Sequence, residues 1–334
     1  MKKLIPIAAA AALLLTACGS GNYAATEIPA KPQPTQASAA PPAAQPDCGN
    51  PLASYQPAGP LPAPGRMPAG STMAKIQQYG RLVAGVSADS LNLGSRNPLT
   101  GKIEGLDIDM IQAVAEAIFP DAKTNPKRVE LRVISSPQRI PVLQAPRTPG
   151  AVDIVARNMT INCSRWKDIA FSAEYYHSGQ KLLVRTDLKT ATGAPVQSLS
   201  ELSGQTVCTQ ARSTSLDNLR TNFPSVKPIT ADTATGCLVL FQQGKAVGIT
   251  GDDTVLAGQV AQDPYARVTT APAFSDEPYG LGMNKDQVDL VRFVNGVLQQ
   301  MKTDGRWQES YRKWLGDLGK ATPPVAVYGR VPGR

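Results

Sequence analysis

From residue 81 onward, apolar runs of strand length alternate with amphipathic runs of helix length, and near residue 181 the alternation begins again. This double series is the strongest constraint on the fold. Strands alternating with helices call for α/β architecture, and a restart partway calls for two such units. A chain of 334 residues has room for both.

In the first series, residues 81–87 read as a strand and 90–105 as a loop rich in Gly, Asn and Pro. A helix is expected from 107, with Ile108, Ile111, Ala115 and Ile118 on one face and Pro120 ending it. Strands at 129–134 and 151–156 flank a short helix at 139–144, and a polar loop covers 157–167. In the second series, strands at 181–185, 205–210 and 246–250 alternate with helices at 214–222 and 235–243. The chain returns through a strand at 279–283, a helix at 286–301 and a final helix at 307–315.

The ends read differently. Residues 1–18 are MKKLIPIAAAAALLLTAC: two lysines, then an apolar run too short and wrongly flanked for a permanent membrane span. Leu15-Thr16-Ala17-Cys18 resembles a lipobox, which implies cleavage before Cys18 and a diacylglycerol on its sulfur. The mature chain is then extracytoplasmic and lipid-anchored to the cell membrane. Residues 19–70 are crowded with Pro, Ala, Gly, Gln and Ser without apolar period, and read as an extended tether, although Cys48 suggests that its second half is pinned to the folded body. Residues 321–334 read as a polar, Pro-containing tail.

Net charge is +8, but two of the cations are Lys2 and Lys3 and no block of five or six basic residues occurs, which argues against nucleic acid as a partner. Besides Cys18 there are Cys48, Cys163, Cys208 and Cys237, an even number that in an oxidising compartment suggests two disulfides with three possible connectivities. No cysteine pair has zinc-site spacing, His177 is the single histidine, and no metal or cofactor set is visible.

Several motifs follow in order: GKIEGLDID (101–109), RIPVL (139–143), NMTINCSR (158–165), LSGQTV (202–207), DDTVL (252–256), EPYGL (277–281) and NGVLQQMKTDGRW (295–307). The chain from about 76 to 315 resembles the type 2 solute-binding proteins, family 3, of polar amino-acid ABC importers, most of all the glutamate/glutamine-binding lipoproteins of actinobacteria. The resemblance implies two α/β lobes joined by two hinge crossings, with the ligand held in the cleft. Lobe 1 is then 71–180 plus 273–320, and lobe 2 is 181–272. This lobe map implies the pairs Cys208–Cys237 and Cys48–Cys163, with a free Cys48 or a bond to another chain left open.

The resemblance also implies a ligand set. Arg165 matches the arginine that forks the amino acid's α-carboxylate, for which a planar guanidinium is suited. Asn158 and Thr160 match positions that offer polar groups beside it. Ser213 and Thr214 match the pair opening the first helix of lobe 2, where helix-start N–H groups and a hydroxyl receive the carboxylate. Asp252 matches the carboxylate that accepts the ammonium, although its neighbour Asp253 is hard to tell from it. For the ligand's side chain, Arg157, Arg96 and Lys102 are candidates, and such cations favour glutamate or aspartate, with the amides also open. A position often aromatic in the family is Ser90, which passes any covering role to Leu91, Leu93 or Tyr175.

The expected protein is therefore a monomeric receptor, not an enzyme: paired carboxylates, a nucleophile with a base, and a metal set are all missing from the sequence pattern. It captures a polar amino acid and passes it to the permease subunits of an ABC importer, or reports it to a membrane signalling partner.

Overall fold

The computed structural model describes residues 35–36, 46–144 and 150–332. One sheet runs in the order Val129–Val133, Leu82–Val86, Ile154–Ala156, Gly282–Asn284, Ile169–Phe171. The first three strands are parallel and the last two antiparallel to their neighbours. Leu82–Val86 is buried along its whole length, as a central parallel strand covered on both faces must be. Helices Leu106–Ile118 and Val288–Thr303 bring their apolar faces into the same core. Leu106–Ile118 begins at Gly105, with φ +143°, and a Cβ there would lie 2.3 Å from the backbone of Leu93. Only glycine fits that start.

The second sheet has the order Thr35–Gln36, Lys227–Ala231, Thr206–Gln210, Gly248–Asp252, Tyr176–Arg185, Ala266–Val268. Its core is a separate set of side chains that includes Leu183, Cys208, Cys237, Leu238, Phe241, Ile249 and Leu256. Lys227–Ala231 was not expected, because Lys227 and Pro228 interrupt any apolar run there.

The strand expected at 181–185 is the ten-residue Tyr176–Arg185. Tyr176 belongs to the first core and Leu183 to the second, so this strand crosses from one lobe to the other. Its first half pairs antiparallel with Asp276–Tyr279, the return crossing, with Tyr279 opposite Tyr176. Its second half pairs with Gly248–Asp252. Two lobes joined by an antiparallel pair of crossings are the expected architecture.

Two expectations about the ends need correction. Residues 46–70, assigned to the tether, lie on the first lobe. Ser54 and Tyr55 are buried, Ser54 Oγ donates to Phe171 O at 2.8 Å, and Asn295 Nδ2 donates to Ser54 Oγ and Tyr55 O at 2.9 and 2.7 Å. The supposed tail packs there too: Ser54 bridges to Tyr328, and the Arg330 guanidinium stacks 3.7 Å over Trp166. A few anchoring side chains and one disulfide order segments whose average composition reads as open chain. Residues 1–34 and 37–45, with Cys18 and the signal-like run, lie outside the described residues.

Both disulfides are present, as Cys48–Cys163 and Cys208–Cys237.

Candidate functional site

The candidate site lies where the lobes meet, at the ends of strands Ile154–Ala156, Thr206–Gln210 and Gly248–Asp252. Strand ends are where α/β sheets present polar groups to a crevice. A cavity of ≈ 20 Å³ remains there, lined by Arg139, Asn158 and Thr160 from the first lobe and by Ser213, Thr214 and Asp252 among others from the second. That is room for roughly one or two waters. The lobes close over it through direct bonds. Asn158 Nδ2 donates to Asp252 Oδ2 at 3.3 Å, Arg157 Nη1 to Gln210 Oε1 at 3.1 Å, and Thr235 N to Asp89 Oδ2 at 2.9 Å. Ser136 N donates to Asp232 O at 2.9 Å.

Asp252 ends its strand and stands at the N-cap of helix Asp253–Val260. Its carboxylate turns into the cleft and accepts from Tyr279 Oη at 2.7 Å. Asp253 points elsewhere, accepting from Ser178 Oγ at 2.6 Å and Thr254 N at 2.7 Å. The structure thus separates two residues that the sequence leaves alike. Burial, followed by the charge of Glu277, pushes the Asp252 carboxyl up to about 7, while Tyr279, Asn158 and Arg139 act the other way.

Asn158 follows strand Ile154–Ala156 and takes φ +38°, a conformation asparagine tolerates better than most residues. Its N–H donates to Asp107 Oδ2 at 2.9 Å. Burial raises Asp107 to about 6, against the hydrogen bond from Tyr175. Ser213 caps helix Thr214–Asn222, accepting from Leu216 N at 3.1 Å, so its cap role and its place in the lining coexist.

Arg165 sits in the single turn Cys163–Trp166, whose start is held by the Cys48 disulfide and by Asn162, which accepts from Arg165 N at 2.9 Å. It is buried, but it stands behind the lining: Nη1 donates to Thr160 O at 2.7 Å. The guanidinium that lines the cavity is Arg139, which carried a motif position but no expected role. Its Nη2 donates to Ser136 Oγ at 2.7 Å and to Arg212 O of the other lobe at 3.3 Å. Burial lowers Arg139 well below its usual range, and the neighbouring Arg165 and Arg157 add to the effect, against Asp252 and Glu277. Burial likewise lowers Arg165, opposed by Glu277 and Asp252. The result is a buried group of cations that gains from any nearby anion.

Of the cations considered for side-chain recognition, Arg157 is buried just beside the lining. Its Nε donates to Ile134 O at 2.9 Å, and Nη2 has no hydrogen-bond partner among the described residues, standing 4.0 Å from Asp89 Oδ1. Arg96 and Lys102 do not line the cavity. Both are exposed, Arg96 at the end of strand Gly94–Arg96 and Lys102 on the turn that follows it, where Arg96 Nη1 folds back onto Gly101 O at 2.6 Å. Leu93 and Tyr175 are buried in the first core and cannot cover the cleft. Leu91 does approach the other lobe: a Cβ on Gly258 would lie 3.0 Å from its own.

Two lobes, two crossings and buried opposite charges around one small interlobe cavity define a two-lobed solute-binding protein. The chain belongs to the bacterial extracellular solute-binding proteins, family 3, which it matches over residues 82–317. It is 33% identical over 245 residues to the ABC transporter glutamine-binding protein GlnH of Bacillus subtilis (strain 168), covering 73% of this chain and 84% of that one. It is 30% identical over 263 residues to the glutamate-binding protein GluB of Corynebacterium efficiens, covering 77% and 86%. Among solved structures, an ancestral arginine-binding protein bound to glutamine superposes with a TM-score of 0.62 at 28% identity, covering 71% of this chain and 98% of that one.

Proposed function

We propose that this protein captures a polar amino acid of the glutamine, glutamate or aspartate class between its lobes and delivers it to the permease of an ABC importer. The observation that carries the reading is the opposition of Arg139 and Asp252 across the lining of one cavity. A zwitterion desolvated in a closed cleft needs an anion for its ammonium and cations for its carboxylate. Asp252 supplies the first. Arg139 supplies the second, with Arg165 one carbonyl behind and the hydroxyls of Thr160 and Thr214 beside it. The names of the two relatives support the side-chain class, and Arg157, with its unpartnered Nη2, is the cation placed to meet it.

Because the cavity is small, the lobes must part to admit a ligand, and the paired crossings Tyr176–Arg185 and Asp276–Tyr279 serve as the hinge. Lipidation at Cys18 keeps the receptor at the membrane beside its permease. No helix among the described residues is long and apolar enough to cross a membrane. The test is thermal denaturation with each of the twenty L-amino acids, since a ligand that binds only the folded state raises the midpoint. A rise confined to glutamine, glutamate, aspartate or asparagine supports the reading. A flat response to all twenty contradicts it.

A further inference from the structure

Thr160 of the first lobe and Thr214 of the second donate to the same atom, Oε2 of Glu277, each at 2.6 Å. Glu277 is 2% exposed, and its other oxygen accepts from Ser275 Oγ at 2.8 Å. It lies on the return crossing Asp276–Tyr279, so it belongs to the hinge and not to either wall of the cleft. Charge-assisted O–H···O⁻ bonds of this length are in the strong class, and two donors fill the lone pairs of one carboxylate oxygen. The chain's own carboxylate therefore holds two hydroxyls that the functional reading above gives to a ligand carboxylate.

We propose that Glu277 is a specificity-determining residue: it stands in for a ligand carboxylate by drawing the hydroxyls of both lobes together, and its charge limits how much negative charge the bound ligand carries. This rests on the amino-acid reading. When a ligand carboxylate takes Thr160 and Thr214, Glu277 stays in the closed site with Ser275 as its remaining partner. Two carboxylates then share a desolvated region, where like charges are costly. Once Asp252 is ionised to meet the ligand ammonium, Arg139 and Arg165 face Asp252 and Glu277, two charges of each sign. A neutral zwitterion such as glutamine preserves that balance. Glutamate adds one negative charge, which Arg157 can meet only through Nη2, already 4.0 Å from Asp89, because Nη1 is held by Gln210. Glu277 thus tilts the site toward amide side chains relative to acidic ones.

The test compares the full lipidated chain with Glu277→Gln and Glu277→Asp. Hydrogen exchange without ligand reads closure, and calorimetric titration with L-glutamine and L-glutamate reads selectivity. Glu277→Gln should speed exchange about tenfold at the cleft-lining segments around Thr160 and Thr214. It should also move the glutamate-to-glutamine affinity ratio about tenfold toward glutamate. Glu277→Asp, which keeps the charge, should leave that ratio near wild type. A Glu277→Gln chain with unchanged exchange and an unchanged ratio would overturn the proposal, as would equal loss of both affinities with no change in exchange. Should the wild-type chain bind neither amino acid, the functional reading fails, and the exchange arm still decides whether Glu277 holds the lobes together.

Discussion

Asn158 Nδ2 and Asp252 Oδ2 meet at 3.3 Å across the boundary between the lobes, joining a strand end of the first to a strand end of the second. The same carboxylate takes the Tyr279 hydroxyl from the return crossing. Wall, opposite wall and hinge therefore converge on one titratable group, with Glu277, Arg139 and Arg165 as its charged neighbours.

Under the proposed opening and closing of the lobes, this convergence makes closure depend on pH. In the closed arrangement burial raises Asp252 to about 7, so parting the lobes as proposed would solvate it and return it toward the ordinary carboxylate range. The closed form then holds the extra proton, so its advantage is complete below the ordinary range and is lost as pH rises through about 7. Ligand ammonium needs Asp252 ionised, so binding at pH 6 releases a proton. Titrations in buffers of different ionisation enthalpy should show that release at pH 6 and little at pH 8.5. Equal heats across buffers at pH 6 would contradict the assignment.

Asp252 and Asp253 should behave differently when each is changed to Asn. Asp252→Asn removes the anion opposite Arg139 and is expected to weaken amino-acid binding at least 100-fold, the scale of a lost buried charge pair. Asp253→Asn disturbs the bond from Ser178 in the crossing strand and should change affinity by less than about fivefold. Calorimetry on both variants checks this, and a reversed order would move the site.

The Cys48–Cys163 disulfide opens the turn that carries Arg165. Cys48→Ser is expected to lower stability by about 3 kcal/mol and affinity several-fold, because the turn loses its anchor as well as its cross-link. Denaturant unfolding and titration together separate the two effects. Unchanged affinity and stability would remove the staple from the account.

Asn295 gives a control far from the cleft. Its buried side chain accepts from Ala173 N at 2.7 Å and donates to Ser54 and Tyr55, tying the segment before residue 71 to the first lobe. Asn295→Ala leaves several buried polar groups unpaired and should cost about 2–4 kcal/mol, with ligand affinity unchanged. Denaturant midpoints and a titration under native conditions measure both.

The strand–helix alternation was legible because it is local: Leu82–Val86 and Leu106–Ile118 carry their periodicity in consecutive residues. The family resemblance pointed to Asn158, Thr160, Ser213, Thr214 and Asp252, which taken alone read as ordinary caps and turns, and all five line the same cavity. Arg139 was not, because its position depends on Ser136 and on Arg212 of the other lobe, neither of which is marked by spacing. Arg165 was expected to fork the ligand carboxylate, but its place one carbonyl behind the lining depends on the Thr160 backbone, which no spacing marks. Arg96 and Lys102 were misplaced because charge alone does not say which side of a turn faces the cleft. In the segment 46–70 only Cys48 signalled attachment to the body, because Ser54 and Tyr55 act through contacts with residues more than a hundred positions away.

The central claim is that Asp252 and the buried arginines read the two charges of a free amino acid. The most direct measurement is calorimetric titration of the wild-type protein with L-glutamate and L-glutamine beside their N-acetyl and α-amide derivatives. The account predicts saturable binding of at least one free amino acid, no detectable binding of its N-acetyl form, which lacks the ammonium, and none of its α-amide, which lacks the carboxylate. An N-acetyl derivative that binds as tightly as the free amino acid would contradict it.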